Sequence, residues 1–290
     1  VTTLSPPPSP PSSPQPSPPR RPRRPVAILI AALAALALLA AAVFAGAHLL
    51  TPGSSGGRDG APGDPTKAPS AGSESSAATL LGWGAPNFED DFDGPLGPVW
   101  QVYDGPGHVG NGVRSPDAIT VEDGILTIDG DGKGTTGGLS LGEGQMYGRW
   151  EGRVRAPVSD DTYNALLLLW PDAEDWPAGG EVDFMEMLDA QRQKTRIFVH
   201  YGEDNSQVSG EVAVDATQWH NWAVEWTPQH IVAYLDGKEW YRTSDEDVLP
   251  PRPMHLAVQL DWFPEQGDRK DVEPSQMDVD WIKQYPFPTP

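Results

Sequence analysis

Three patterns of apolar and polar positions follow one another along the chain. From Val26 to Ala47 no charged or strongly polar residue interrupts an apolar run of 22 positions. That length predicts a helix able to span a bilayer, which takes about 20 such residues. Residues 51–80 are mostly Gly, Ser, Pro, Ala and Thr and read as a flexible tether. From residue 81 onward, short runs rich in β-branched and aromatic residues alternate with turn signals. Ile125–Ile128, Gly148–Arg155, Ala165–Trp170, Glu181–Leu188, Arg196–Tyr201, Trp222–Trp226, Met254–Trp262 and Met277–Tyr285 are among the predicted strands. Asp236-Gly237, set between Ile231–Leu235 and Trp240–Thr243, predicts a hairpin. No stretch of this region has a long helical period. The expected fold of 81–290 is all-β, a jelly-roll sandwich of two curved antiparallel sheets whose concave face can hold an elongated ligand.

Composition sharpens the N-terminal picture. Residues 1–25 hold 11 prolines and the basic cluster Arg20, Arg21, Arg23 and Arg24, a composition that builds no core. Those arginines lie directly before the apolar run, and the next basic residue is Arg58. The positive-inside rule then keeps 1–25 in the cytoplasm, makes 26–50 a signal anchor, and places the C-terminal domain outside the cell membrane. Secretion after cleavage is the alternative, since Ala45-Gly46-Ala47 has a small-x-small form. Against it stands the length of the run, because an h-region usually has about 7–15 residues.

The formal net charge is −21, and 38 of the 41 acidic residues lie after residue 80. That is the wrong sign for neutralising phosphates, so a nucleic-acid partner is excluded. There is no cysteine, which excludes disulfides, thiolate zinc sites and cysteine nucleophiles. No histidine pair with zinc spacing occurs. A monomer that needs no cofactor is expected.

The chemistry-bearing segment is Gly180-Glu181-Val182-Asp183-Phe184-Met185-Glu186-Met187. Side chains alternate along a strand, so Glu181 and Asp183 share a face while strict alternation would turn Glu186 away. One β-bulge at Phe184/Met185 restores Glu186 to that face and leaves Val182, Phe184 and Met187 for the core. Three acids on one face of an otherwise apolar strand are costly unless that face is a wet cleft. Paired carboxyls in a cleft suit glycosidic hydrolysis; retaining enzymes hold them about 5–5.5 Å apart. The acid between them raises a neighbour's pKa, so one carboxyl can stay protonated while another is ionised. Calcium coordination by the same three acids is the weaker reading, because a strand encircles an ion poorly.

The segment and its surroundings resemble glycoside hydrolase family 16. The acids match the family's bulged E-x-D-x-x-E signature, and Trp176-Pro177-x-x-Gly180-Glu181 matches its lead-in. Phe88-x-Asp90-Asp91-Phe92-Asp93-Gly94, Tyr147-Gly148-Arg149-Trp150-Glu151, His200-Tyr201-Gly202 and Val279-Asp280-Trp281-Ile282-Lys283-Gln284-Tyr285 resemble further family segments in the same order. The resemblance covers about 88–285 and implies a jelly roll with a substrate cleft. It implies Glu181 as nucleophile, Glu186 as general acid/base, and Asp183 as the residue that orients and tunes them. The stretch Asn164-Ala165-Leu166-Leu167-Leu168-Leu169-Trp170 departs from a laminarinase-like P-A-F-W run, so a cleft tryptophan is either missing or moved to Trp170.

Other positions carry two readings each. Trp176, in a Pro-marked loop five residues before Glu181, is the better candidate for a sugar subsite; Trp170 and Trp262 divide evenly between core and cleft. Arg114 resembles a family arginine that reaches sugar hydroxyls, with an ordinary salt bridge as the alternative. His200 is placed to hydrogen-bond the acids from a neighbouring strand, and Gln259 to face the cleft from a late one. The resemblance also implies a possible structural calcium at Asp91 and Asp280. The leading expectation is an endo-acting, retaining hydrolase of a β-linked polysaccharide of β-1,3-glucan or galactan type. A transglycosylase with the same acids is a variant, and a non-catalytic glycan-binding module is the rival.

Overall fold

A computed structural model of the chain describes residues 72–267 and 271–287. The expected cytoplasmic tail, the apolar run 26–50 and most of the tether lie outside the described residues. Among the described residues, no helix is long and apolar enough to cross a membrane.

Fifteen strands build two antiparallel sheets: β1 (Phe88–Asp90), β2 (Trp100–Val102), β3 (Ile119–Glu122), β4 (Ile125–Gly130), β5 (Gly138–Leu141), β6 (Gly148–Arg155), β7 (Tyr163–Pro171), β8 (Glu181–Met187), β9 (Lys194–Tyr201), β10 (Ser206–Ala213), β11 (His220–Trp226), β12 (Ile231–Leu235), β13 (Lys238–Thr243), β14 (Met254–Trp262) and β15 (Ser275–Tyr285). The front sheet has seven strands in the order β10-β9-β8-β7-β14-β5-β2. The back sheet has eight, ordered β13-β12-β11-β6-β15-β4-β3, with β1 added on β15. A small third sheet joins Gly105–Pro106, Val113–Arg114 and Thr135–Thr136. This is the all-β antiparallel sandwich expected from the strand pattern.

Alternation explains the core. On β7, Ala165, Leu167 and Leu169 point between the sheets, and on β8 Val182, Phe184, Met185 and Met187 do so. They meet Trp150, Val154, Trp222, Val224 and Trp226 from the back sheet. Trp150, Trp222 and Trp226 are thus packing residues, as their strand positions indicate. The Asp236-Gly237 hairpin forms between β12 and β13, with both residues at positive φ (47° and 71°). β10 was not among the predicted strands. It sits at a sheet edge with alternating half-buried and exposed side chains, Ser206-Gln207-Val208-Ser209-Gly210-Glu211-Val212-Ala213, so it has no continuous apolar signal.

The tether boundary at residue 80 needs correction. Helix α1 (Ala77–Leu81) is already part of the folded domain. Glu151, on the outer face of β6, accepts the N–H groups of Ala77 (2.6 Å) and Ala78 (3.2 Å). Asn221 Nδ2 donates to Gly72 O at 2.8 Å and to Ser75 Oγ at 3.0 Å. Ala77, Ala78 and Trp83 pack with Ala223, Val232, Tyr234 and Tyr285 on the back sheet. Five residues are too few for a self-supporting helix, so packing and the carboxylate at its N-terminus hold it. The small residues that make this stretch look like a linker are what let it lie close on the sheet.

Candidate active site

The site stands on the outer face of the front sheet, and the β8 bulge creates it. Leu167 and Leu168 of β7 are opposite Met185 and Asp183, which leaves Phe184 without a partner. On the other side, Asp183 faces Phe198 and Glu186 faces Arg196, again one residue out of step. The extra residue turns Phe184 and Met185 both into the core. Asp183 and Glu186 therefore share the outer face with Glu181, as the three-residue spacing requires. The strand begins after Gly180, whose φ of 79° suits glycine; a Cβ there would lie 3.2 Å from the carbonyl oxygen of His200.

Each acid has its own partner. Trp176 Nε1 donates to Glu181 Oε2 at 2.8 Å. Asn164 Nδ2 donates to Glu186 Oε1 at 3.1 Å. His200, opposite Glu181 in register, places Nε2 3.3 Å from Asp183 Oδ2 and 4.0 Å from Glu181 Oε2. Its Nδ1 lies 2.7 Å from Asn205 Oδ1 and 3.2 Å from Gln207 Nε2, so Nε2 is the ring nitrogen that faces the acids. Asp183 is 3% exposed and its Oδ1 accepts no hydrogen bond from the protein.

Burial governs the electrostatics. It pushes Glu181 well above the usual carboxylate range, and the Asp183 charge adds to this, while His200 and the Trp176 N–H oppose it. Burial, then the Glu186 charge, raises Asp183 well above its ordinary value. Glu186 is pushed up to about 7 by burial; the Asn164 N–H and the nearby His200 hold it from going further. Three carboxyls this close in a poorly hydrated place cannot all be ionised, so the group keeps a proton near neutrality. A group of neighbouring carboxyls that holds a proton among its members is what two-step glycoside cleavage draws on.

Trp176 is 40% exposed and stacks on Trp170, with ring centroids 6.2 Å apart and planes 10° apart. Trp170 continues the outer-face row of Leu166 and Leu168, so it belongs to the cleft side. Its Nε1 donates to Glu174 Oε2 at 3.0 Å. Arg114 and Gln259 also come together on this face. Arg114 pairs with Asp261 at 2.7 and 2.8 Å, donates to Gln259 Oε1, and lies over the Tyr103 ring at 5.2 Å. The salt-bridge reading of Arg114 is the one found, with Gln259 as a further acceptor.

Trp262 packs against the core, one of its two readings: its ring fills the space where Cβ atoms on Gly112 and Gly134 would lie, and Nε1 donates to Thr162 Oγ1 at 3.0 Å. For the calcium expected at Asp91 and Asp280, the structure shows the Asp280 carboxylate paired with Arg153 Nε at 2.9 Å. Among the described residues, only Glu181, Asp183 and His200 bring three ligand-type atoms within 4.8 Å of one another. Two oxygens and one imidazole nitrogen do not make the six to eight oxygens that calcium takes.

The sequence reading missed Asn164, Asp261 and Tyr103. Asn164 was legible only as a polar residue opening a leucine run. Asp261 was within reach, because it alternates with Gln259 on β14 and so shares its face.

The sequence profile of Glycosyl hydrolases family 16 matches residues 111–283. The chain is 30% identical over 164 residues to a beta-glucanase of Rhodothermus marinus, covering 48% of this chain and 57% of that protein. It is 32% identical over 146 residues to the endo-1,3-1,4-beta-glycanase ExsH of Rhizobium meliloti (strain 1021), covering 49% of this chain and 30% of that one. It thus spans little more than half, or less, of these curated relatives. Among solved structures, the laminarinase from Rhodothermus marinus superposes with a TM-score of 0.62 at 24% identity, over 70% of this chain and 97% of that one. The endo-beta-1,3-glucanase from Pyrococcus furiosus gives 0.64 at 19% identity, over 71% and 95%. These likenesses concern the fold. With the profile matching more than half of the chain, the protein belongs to glycosyl hydrolase family 16.

Proposed function

We propose that this domain is an endo-acting, retaining glycoside hydrolase of a β-linked glucan. The observation that carries the reading is the β8 bulge, which sets Glu181, Asp183 and Glu186 on one face with separate N–H donors on the two glutamates. The relatives named beta-glucanase and endo-1,3-1,4-beta-glycanase support a β-glucan over a galactan. A Glu181 oxygen attacks C1 as Glu186 protonates the departing glycosidic oxygen, giving a glycosyl-enzyme. Glu186, now ionised, takes a proton from water as that water attacks C1 and releases Glu181. Asp183, 3.3 Å from His200 Nε2, lies beside Glu181 and tunes it through its charge. The Trp176–Trp170 pair offers an aromatic face to a sugar ring beside the nucleophile.

Incubation of the purified protein with laminarin, lichenan, agarose and galactan tests this. Cleavage of a β-glucan with the β-anomer forming first in proton NMR is expected, because two displacements at C1 restore configuration. Early α product would mean inversion and a misassigned nucleophile. Binding without any product would assign the domain to glycan binding.

We also propose that 26–50 anchors the chain with this domain outside the membrane, as the arginine cluster before the run requires. Protease added to intact spheroplasts should then remove the domain; protection equal to that of a cytoplasmic control would reverse the orientation.

A further inference from the structure

Asn164 lies near the start of β7, opposite Asp261 of β14 and two residues before Leu166, the partner of Glu186. Its side chain is shut off from solvent, at 0% exposure. Nδ2 donates to Glu186 Oε1, while Oδ1 is buried and accepts no hydrogen bond from the protein. An amide kept only to join strands would have both ends satisfied, because a buried orphan acceptor is a standing cost. An apolar side chain would suit the position better, and Leu166 and Leu168 continue the same face. The one bond Asn164 makes goes to the side chain that must gain and lose a proton in each turnover.

We propose that Asn164 is a positioning residue for Glu186 that confines the transferable proton to Oε2. The proposal rests on Glu186 being the acid/base. An N–H aimed at Oε1 favours the neutral-acid tautomer in which Oε1 is the carbonyl oxygen, a better acceptor than the hydroxyl oxygen. The ionised carboxylate accepts through Oε1; the neutral acid keeps Oε1 as its carbonyl oxygen and carries its hydrogen on Oε2. In the first step the Oε2 hydrogen passes to the glycosidic oxygen, which takes the electron pair of the breaking C1–O bond. In the second step Oε2 receives a proton from the water whose oxygen bonds to C1. Oε1 stays out of the proton traffic throughout.

The same bond favours ionised Glu186. Other groups facing it divide: His200 and Arg196 from β9 favour the charged form, while Asp261 from β14 and Asp183 on its own strand oppose it. Losing the Asn164 N–H therefore raises the pKa of Glu186. The acid/base must start protonated, so the alkaline limb of kcat/KM moves to higher pH.

The test uses Asn164→Ala and the similarly sized Asn164→Leu in the full chain, with thermal unfolding to check folding. For both, kcat/KM is followed against pH on a β-glucan and on an aryl glycoside with a good leaving group. The expected result is an alkaline limb moved up by roughly one unit, a tenfold change in the proton equilibrium. The loss of rate should be greater on the glucan, whose leaving group needs the proton. Should Asn164→Ala not fold, Asn164→Leu keeps the volume roughly and removes the donor. A limb at the wild-type position with equal loss on both substrates would overturn the proposal. Glu186→Ala assayed with azide separates the two possible failures. Azide rescue with formation of a glycosyl azide upholds Glu186 as acid/base, so an unmoved limb then counts against Asn164 alone. No rescue would overturn the role of Glu186 and the proposal with it.

Discussion

Two fully or nearly buried glutamates, one on each sheet, share a shift and differ in their partners. Glu151 on the back sheet and Glu186 on the front sheet are both pushed up to about 7, and burial is the first cause in each. Their partners differ. Glu151 receives two backbone N–H groups from α1, one on each oxygen, and is 0% exposed. Glu186 receives one side-chain N–H on one oxygen, and its neighbours include orphaned atoms of Asn164 and Asp183. A raised pKa therefore marks burial, not function. The mark of function is a carboxyl with one oxygen held and the other left for something that is not protein.

The sharpest way to break this comparison is to neutralise one acid from each sheet. Glu181→Gln is expected to lower kcat by on the order of 10⁴-fold or more, since in the proposed mechanism it removes the attacking oxygen. Glu151→Gln should leave kcat within about twofold while weakening the docking of α1. Kinetics on a β-glucan, with circular dichroism to check folding, decide the matter. A large kcat loss in the Glu151 variant would mean that the back sheet shapes the site and that the distinction fails.

A smaller effect follows from the same burial. The folded-state pKa of Glu151 is raised from an ordinary 4.5 to about 7. The native state thus binds more protons than the unfolded chain between those values. Stability from this group is fully present below about pH 4.5 and is lost as pH rises through about 7, worth roughly 3 kcal/mol. Glu181, Asp183 and Glu186 are shifted in the same direction. The domain should therefore have a lower Tm at pH 8 than at pH 5, the reverse of a protein whose acids are paired with cations. Glu151→Gln should flatten that slope. A Tm that rises from pH 5 to 8 would show that these acids are ionised in the fold at little cost.

Much of the site was legible because its signals are local. The acid spacing alone demands a bulge, and the bulge sits at Phe184, where the sequence placed it. Trp176 lies five residues from Glu181, within reach of a loop. What was not legible depends on segments far apart in sequence. The Arg114–Asp261 pair spans 147 residues, and nothing near Arg114 announces it. Asn164 reaches Glu186 across two strands, so its bond follows from register. Helix α1 was hidden for another reason: alanine and serine favour a linker reading until Glu151, 74 residues on, supplies the carboxylate its N-terminus needs.

The smallest expected effect probes how the two sheets hold their charges. Glu151 is held by backbone N–H groups, which only proline in place of Ala77 or Ala78 would remove. The donor on Glu181 is the indole of Trp176 and can be deleted by Trp176→Phe, which keeps an aromatic ring against Trp170. That N–H favours ionised Glu181, so its loss raises the pKa of the nucleophile. The nucleophile must be ionised to attack, so the acid limb of kcat/KM should move up. The rate should fall about tenfold on the acid side and recover as pH rises past the new limb. Trp170→Phe is the matched control, because its indole N–H goes to Glu174 and not to the acids. It should raise KM for the glucan through weaker stacking and leave the acid limb in place. If Trp176→Phe also leaves that limb in place, the tryptophan serves sugar stacking alone.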